Sequence, residues 1–83
     1  MGEVILVMRV LPDGPESVQK VKEGLEALKP QRLEEEPLAF GMVAFKFTIL
    51  IPDAGGEQDR MENQVNAIPG VGSVEVIQAS RSM

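Results

Sequence analysis

The chain contains no cysteine, histidine, tryptophan or tyrosine. Each absence removes a class of chemistry. Without cysteine there is no disulfide staple and no thiolate nucleophile, which suits a reducing compartment. With cysteine and histidine both missing, a zinc or copper centre loses its usual ligands. Carboxylates remain for Mg²⁺ or Ca²⁺, but no segment has the pattern of a calcium loop. A nucleophilic triad lacks its base, so a self-contained hydrolytic enzyme is not expected. No metal site is anticipated.

Long apolar runs are also missing. The opening stretch holds five apolar residues, Val4 to Met8, too few for a signal peptide's apolar region or a membrane span. A cytoplasmic protein without membrane contact is expected. Basic charge is scarce: eight Lys and Arg face thirteen Asp and Glu, a net charge of −5. That balance argues against direct nucleic-acid binding, which needs a basic surface. Eighty-three residues suffice for one modest core, so residues 1–83 read as a single domain.

What is present is strand and helix patterning of high contrast. Val43, Phe45, Phe47, Ile49 and Ile51 alternate with Ala44, Lys46, Thr48 and Leu50, the period of a strand with one strongly apolar face. Glu3 to Leu11 is nearly all aliphatic and reads as a second central strand. Asp13 and Glu16 have capping-box spacing, and Pro15 suits a first helical turn. Val18, Val21, Leu25 and Leu28 follow at helical spacing until Pro30. Arg32 to Leu38, with Glu34, Glu35, Glu36 and Pro37, has the charge and proline of an edge strand. A second helix carries Met61, Val65 and Ile68 and stops at Pro69-Gly70. Val71 to Ala79 is a last strand with partial alternation, and Arg81-Ser82-Met83 trails off.

The order β-α-β-β-α-β predicts an α+β, ferredoxin-like sandwich: a four-stranded antiparallel sheet with two helices on one face. The first and third strands should be central. Reading those two as parallel brings the corner before the third strand and the end of the fourth to one end of the sheet. Phe40 and Arg81 would then be neighbours, two strand spacings or roughly 10 Å apart. An aromatic beside a cation is a plausible partner surface. Each also has a plain structural reading, Phe40 as a lid on the core and Arg81 as a solvated terminal charge. With Arg9 on the face away from the helices, Ile5, Val7 and Leu11 lie there too. That face either meets a partner or is covered by neighbouring long side chains.

Several segments together resemble the exchange domain of elongation factor 1-beta, most closely the short archaeal form. They are the opening strand into Leu11-Pro-Asp, Pro37-Leu-Ala-Phe-Gly-Met-Val-Ala-Phe-Lys46, Ile49-Leu-Ile-Pro-Asp53, Met61-Glu-Asn-Gln-Val65 and Ser73-Val-Glu-Val-Ile77. The resemblance implies a guanine nucleotide exchange factor for the GTPase elongation factor 1-alpha. Such a domain docks on the GTPase, disturbs its Mg²⁺ and phosphate site and speeds GDP release, needing no cofactor of its own and making no covalent bond. The family's corner Phe falls on Phe40, followed by Gly41. Its C-terminal Lys falls on Arg81, with Ser80, Ser82 and Met83 as flanking contacts. Arg in place of Lys is a departure, a planar fork instead of a compact charge. An ACT-type small-molecule-binding module shares the strand order and the Pro-Gly-Val ending, and is the alternative. A ferredoxin-like metal carrier would need the missing Cys-x-x-Cys.

Overall fold

The computed structural model describes residues 2–82. Its elements are β1 (Glu3–Pro12), α1 (Val18–Ala27), β2 (Arg32–Pro37), β3 (Val43–Pro52), α2 (Glu57–Asn66) and β4 (Val71–Ser82), with short 3-10 turns at Pro15–Ser17 and Ala39–Gly41. The sheet order is β2-β3-β1-β4, and every neighbouring pair is antiparallel. This is the ferredoxin-like α+β sandwich expected from the sequence, with its two most apolar strands in the centre.

Alternation decides which side chains meet the helices. Leu6, Met8 and Val10 of β1 and Phe45, Phe47, Ile49 and Ile51 of β3 form one buried cluster with Val21 and Leu25 of α1 and Val65 of α2. Leu6, Met8, Val10, Phe45 and Phe47 are entirely out of solvent. Each such side chain contributes about 1.5–3 kcal/mol from burial. Both helices therefore cover the same face of the sheet. The turn after α2 packs on α1 at Gly24, where a Cβ would lie 2.5 Å from Ile68 Cγ2.

The start of α1 departs from the capping-box expectation. Asp13 caps no helix N–H through its side chain. Its carboxylate instead accepts a hydrogen bond from the buried Ser17 hydroxyl at 2.5 Å, and the 3-10 turn Pro15–Ser17 leads into the helix. The far end of α1 closes with Lys29 in a left-handed conformation, φ 56°, one residue before Pro30.

The first and third strands run antiparallel, contrary to the orientation assumed from the sequence. Pairs run from Glu3 with Pro52 to Val10 with Phe45. The crossover through α1 makes β2 parallel to β1, and the hairpin that follows reverses the chain again. The turn entering β3 therefore lies at the opposite end of the sheet from the close of β4.

β4 is longer than expected, because Ser80 to Ser82 continue the ladder against Ile5 to Glu3. It contains two irregularities. One residue, Gly72, is extra between the pairs Leu11–Ser73 and Pro12–Val71. A Cβ there would meet Asp13 Cα at 3.0 Å and Pro12 O at 3.1 Å, so the bulge needs glycine. Ile77 is extra between Met8–Val76 and Val7–Gln78. These insertions explain the partial alternation of the sequence.

Candidate exchange surface: the Phe40 turn and the Arg81 end

The loop between β2 and β3 is a tight hairpin turn. Leu38 N–H donates to Met42 O at 2.8 Å, and Met42 N–H donates to Ala39 O at 3.3 Å. Both central residues have positive φ, Phe40 at 62° and Gly41 at 76°. That is the signature of a type I′ turn, whose right-handed twist matches the flanking strands. Gly41 fits this conformation without strain. Phe40 does not: positions of this kind favour Asn, Asp or Gly, and a bulky residue there costs about 1–3 kcal/mol.

Phe40 recovers none of that cost by burial, since it is 97% exposed. It is not the lid on the core that the plain reading of the sequence allowed. Phe45 and Phe47 fill the core, while the third aromatic stands in solvent at the tip of a strained turn. Leu38, two residues before it, is also exposed. The sequence places Leu38 at the end of the edge strand and in the Pro37–Lys46 segment, but gives it no role of its own.

Arg81 sits at the other end. From Val43 to Ile51, the residue level with Arg81 through Val4, eight strand steps span about 27 Å. The expected closeness of Phe40 and Arg81 is thus overturned by strand direction. Nor does Arg81 trail off: it lies within β4, paired with Val4. The Ile77 bulge sets its side. With one residue inserted, Arg81 shares the helix-facing side with Val4 and Ile51 instead of pointing to the open face.

There its Nε lies 3.1 Å from Asp53 Oδ2. Asp53 follows β3, and β1 lies between it and β4, so the arginine side chain reaches across the end of the central strand. The arginine side chain is 79% exposed and the aspartate 30%. Asp53 is the second residue the sequence reading missed as a contact. Its only signal was the Ile-Pro-Asp segment that ends the strong strand. Ser80 is half-buried on the open face opposite Ile5 and accepts a hydrogen bond from Gln78 Nε2 at 3.1 Å. Ser82 pairs through its backbone with Glu3, and Met83 lies outside the described residues.

The open face is largely covered by its own side chains. Val7 and Ala44 are buried on it, and Ile5, Leu11 and Leu50 are partly so. A row of charge crosses its middle: Glu34, Lys46, Arg9 and Glu75 are successive cross-strand partners. Ile77, at the bulge, is the large apolar residue that remains half exposed on β4. Among the described residues, no helix is long and apolar enough to cross a membrane.

Comparison with known proteins gives matches over nearly the whole chain. The model of the EF-1 guanine nucleotide exchange domain matches residues 5–81, a span that includes both the Phe40 turn and Arg81. Among curated proteins, the chain is 39% identical to elongation factor 1-beta of Methanoregula boonei, over 96% of this chain and 98% of that protein. It is 37% identical to the elongation factor 1-beta of Methanococcoides burtonii, over 98% of each. With that of Methanothermobacter thermautotrophicus it shares 30% identity over the full length of both. The match sets aside the small-molecule-binding module as a family assignment. The chain belongs to the elongation factor 1 guanine nucleotide exchange domain family.

Proposed function

We propose that this protein accelerates GDP release from elongation factor 1-alpha, by docking through the Phe40 turn and presenting Arg81 to the GTPase's Mg²⁺ and phosphate site. The observation that carries the reading is the exchange-domain match across residues 5–81. The two features of this chain that fit it are the exposed, strained Phe40 and the exposed cation at the opposite end.

The physics separates two roles. An aromatic already in solvent gives up no core packing when it enters a pocket, so its burial counts almost wholly toward binding. Mg²⁺ bridges the nucleotide phosphates to the GTPase and neutralises their charge. A guanidinium brought to that place competes with Mg²⁺ by repulsion and occupancy, which loosens GDP. By linkage, a factor that weakens GDP is itself weakened by GDP, so the tightest complex is the nucleotide-free one. No covalent bond is made or broken.

Because about 27 Å of strand separates Phe40 from Arg81, a single pocket does not receive both. The factor spans its partner, anchored at one end and acting at the other. The test is release of a fluorescent GDP analogue from the purified GTPase into excess unlabelled GDP. Acceleration by catalytic amounts of this protein is expected; an unchanged release rate from an active, matched GTPase would contradict the proposal.

A further inference from the structure

We infer that Asp53 is a positioning residue for exchange, holding the Arg81 guanidinium across the end of the sheet in the orientation that the partner receives. The inference rests on the reading of Arg81 given above. It comes from an asymmetry in the pair. Asp53 is fixed: it follows Pro52, its N–H donates to Gly2 O at 3.0 Å, and its side chain is only 30% exposed. Arg81 is the long, exposed partner, 79% accessible, on a strand whose outer edge is unpaired. The carboxylate therefore places the arginine, and the reverse does not hold.

The point of contact matters as well. Asp53 approaches Nε, the nitrogen at the base of the guanidinium fork. Four of the five N–H donors belong to the terminal nitrogens beyond it and are available to an acceptor on the partner. An exposed pair of this kind biases a side chain without locking it. That suits a cation that must be ordered beforehand yet yield to a stronger site. Ordering a flexible side chain before docking removes an entropy cost otherwise met during the exchange step. The Ile77 bulge belongs to the same device, since it turns Arg81 to the side on which Asp53 stands.

The test combines kinetics with a readout of the side chain itself. In Asp53→Asn, GDP release at saturating factor should fall about fivefold, the scale of one ordered side chain, with the half-saturating concentration little changed. Asp53→Glu should restore more than half of the loss. In an Arg81→Met background, Asp53→Asn should have no further effect. By NMR of the free protein, the Arg81 Nε–H signal should be distinct in the parent and move to the position of an unstructured arginine in Asp53→Asn. An Nε–H signal unmoved by Asp53→Asn overturns the inference. So does an equal slowing in the Arg81→Met background, or faster exchange by Asp53→Asn. If Arg81→Met exchanges at the parent's rate, the reading of Arg81 falls, and the positioning role falls with it even where the NMR signal shows the pair.

Discussion

Phe40 and Arg81 occupy opposite ends of one sheet, with about 27 Å of strand between them, because β1 and β3 are antiparallel neighbours. Both are exposed, and each stands at the end of a different edge of the fold. On the proposed reading the two residues meet the GTPase at separated places, so mutations at the two ends should have different kinetic signatures.

At the Phe40 end, stability and binding should move in opposite directions. Phe40→Asn replaces a strained residue with one that accepts a left-handed conformation, so the urea unfolding free energy should rise by about 1 kcal/mol. The same change should weaken the complex with the GTPase by about 2 kcal/mol, the scale of an aromatic hot spot. Loss of both, or unchanged affinity, would count against Phe40 as an anchor.

At the Arg81 end, charge should matter more than shape in one respect only. Arg81→Met should slow GDP release at saturating factor by at least about tenfold, roughly 1.4 kcal/mol of barrier, while binding the nucleotide-free GTPase nearly as well. Arg81→Lys should retain most of the activity if a cation is what is needed. A lysine variant as slow as the methionine variant would show that the planar fork itself is required.

Gly24 offers a check on the helix packing that is independent of function. In most helices Gly→Ala stabilises by about 1 kcal/mol. Here the added methyl would collide with Ile68 Cγ2 at 2.5 Å, so Gly24→Ala should destabilise by about 1–3 kcal/mol. In an Ile68→Ala background the sign should reverse. Thermal or urea unfolding of the four proteins decides it.

On the open face, Arg9 carries a buried Nε without a hydrogen-bond partner, and Lys46 stands directly opposite on β3. An unsatisfied donor and a facing like charge both oppose folding. Arg9→Met keeps the covering stem, and should raise stability by about 1 kcal/mol. A loss of that size instead would mean that Glu75, its partner on β4, outweighs both penalties.

Much of this was legible in the sequence. The alternation from Val43 to Ile51 and the helical spacing of Val18, Val21 and Leu25 are direct consequences of geometry, and they gave element order, central strands and fold class. Phe40-Gly41 between a proline and a strong strand marked the turn that carries the exposed aromatic. The relation of Phe40 to Arg81 was legible as well and was misread: in an antiparallel sheet whose first and third strands are neighbours, those two strands must run in opposite directions, and reading them as parallel inverted the relation. What was not legible is the bulges: Val71, Val74, Val76, Ala79 and Arg81 share a side only because Gly72 and Ile77 are extra. Without Ile77, Arg81 would point away from Asp53, and the pair could be found only once the register was known.

On the proposed reading one end of the molecule anchors and the other end acts. Release of labelled GDP from elongation factor 1-alpha, measured across a titration of the parent, Phe40→Ala and Arg81→Met, separates the two roles. Phe40→Ala should shift the half-saturating concentration upward by about thirtyfold, matching 2 kcal/mol, and reach the parent's plateau. Arg81→Met should keep the parent's half-saturating concentration and lower the plateau. Two variants that shift the same parameter by the same amount would contradict a division of labour between the two ends.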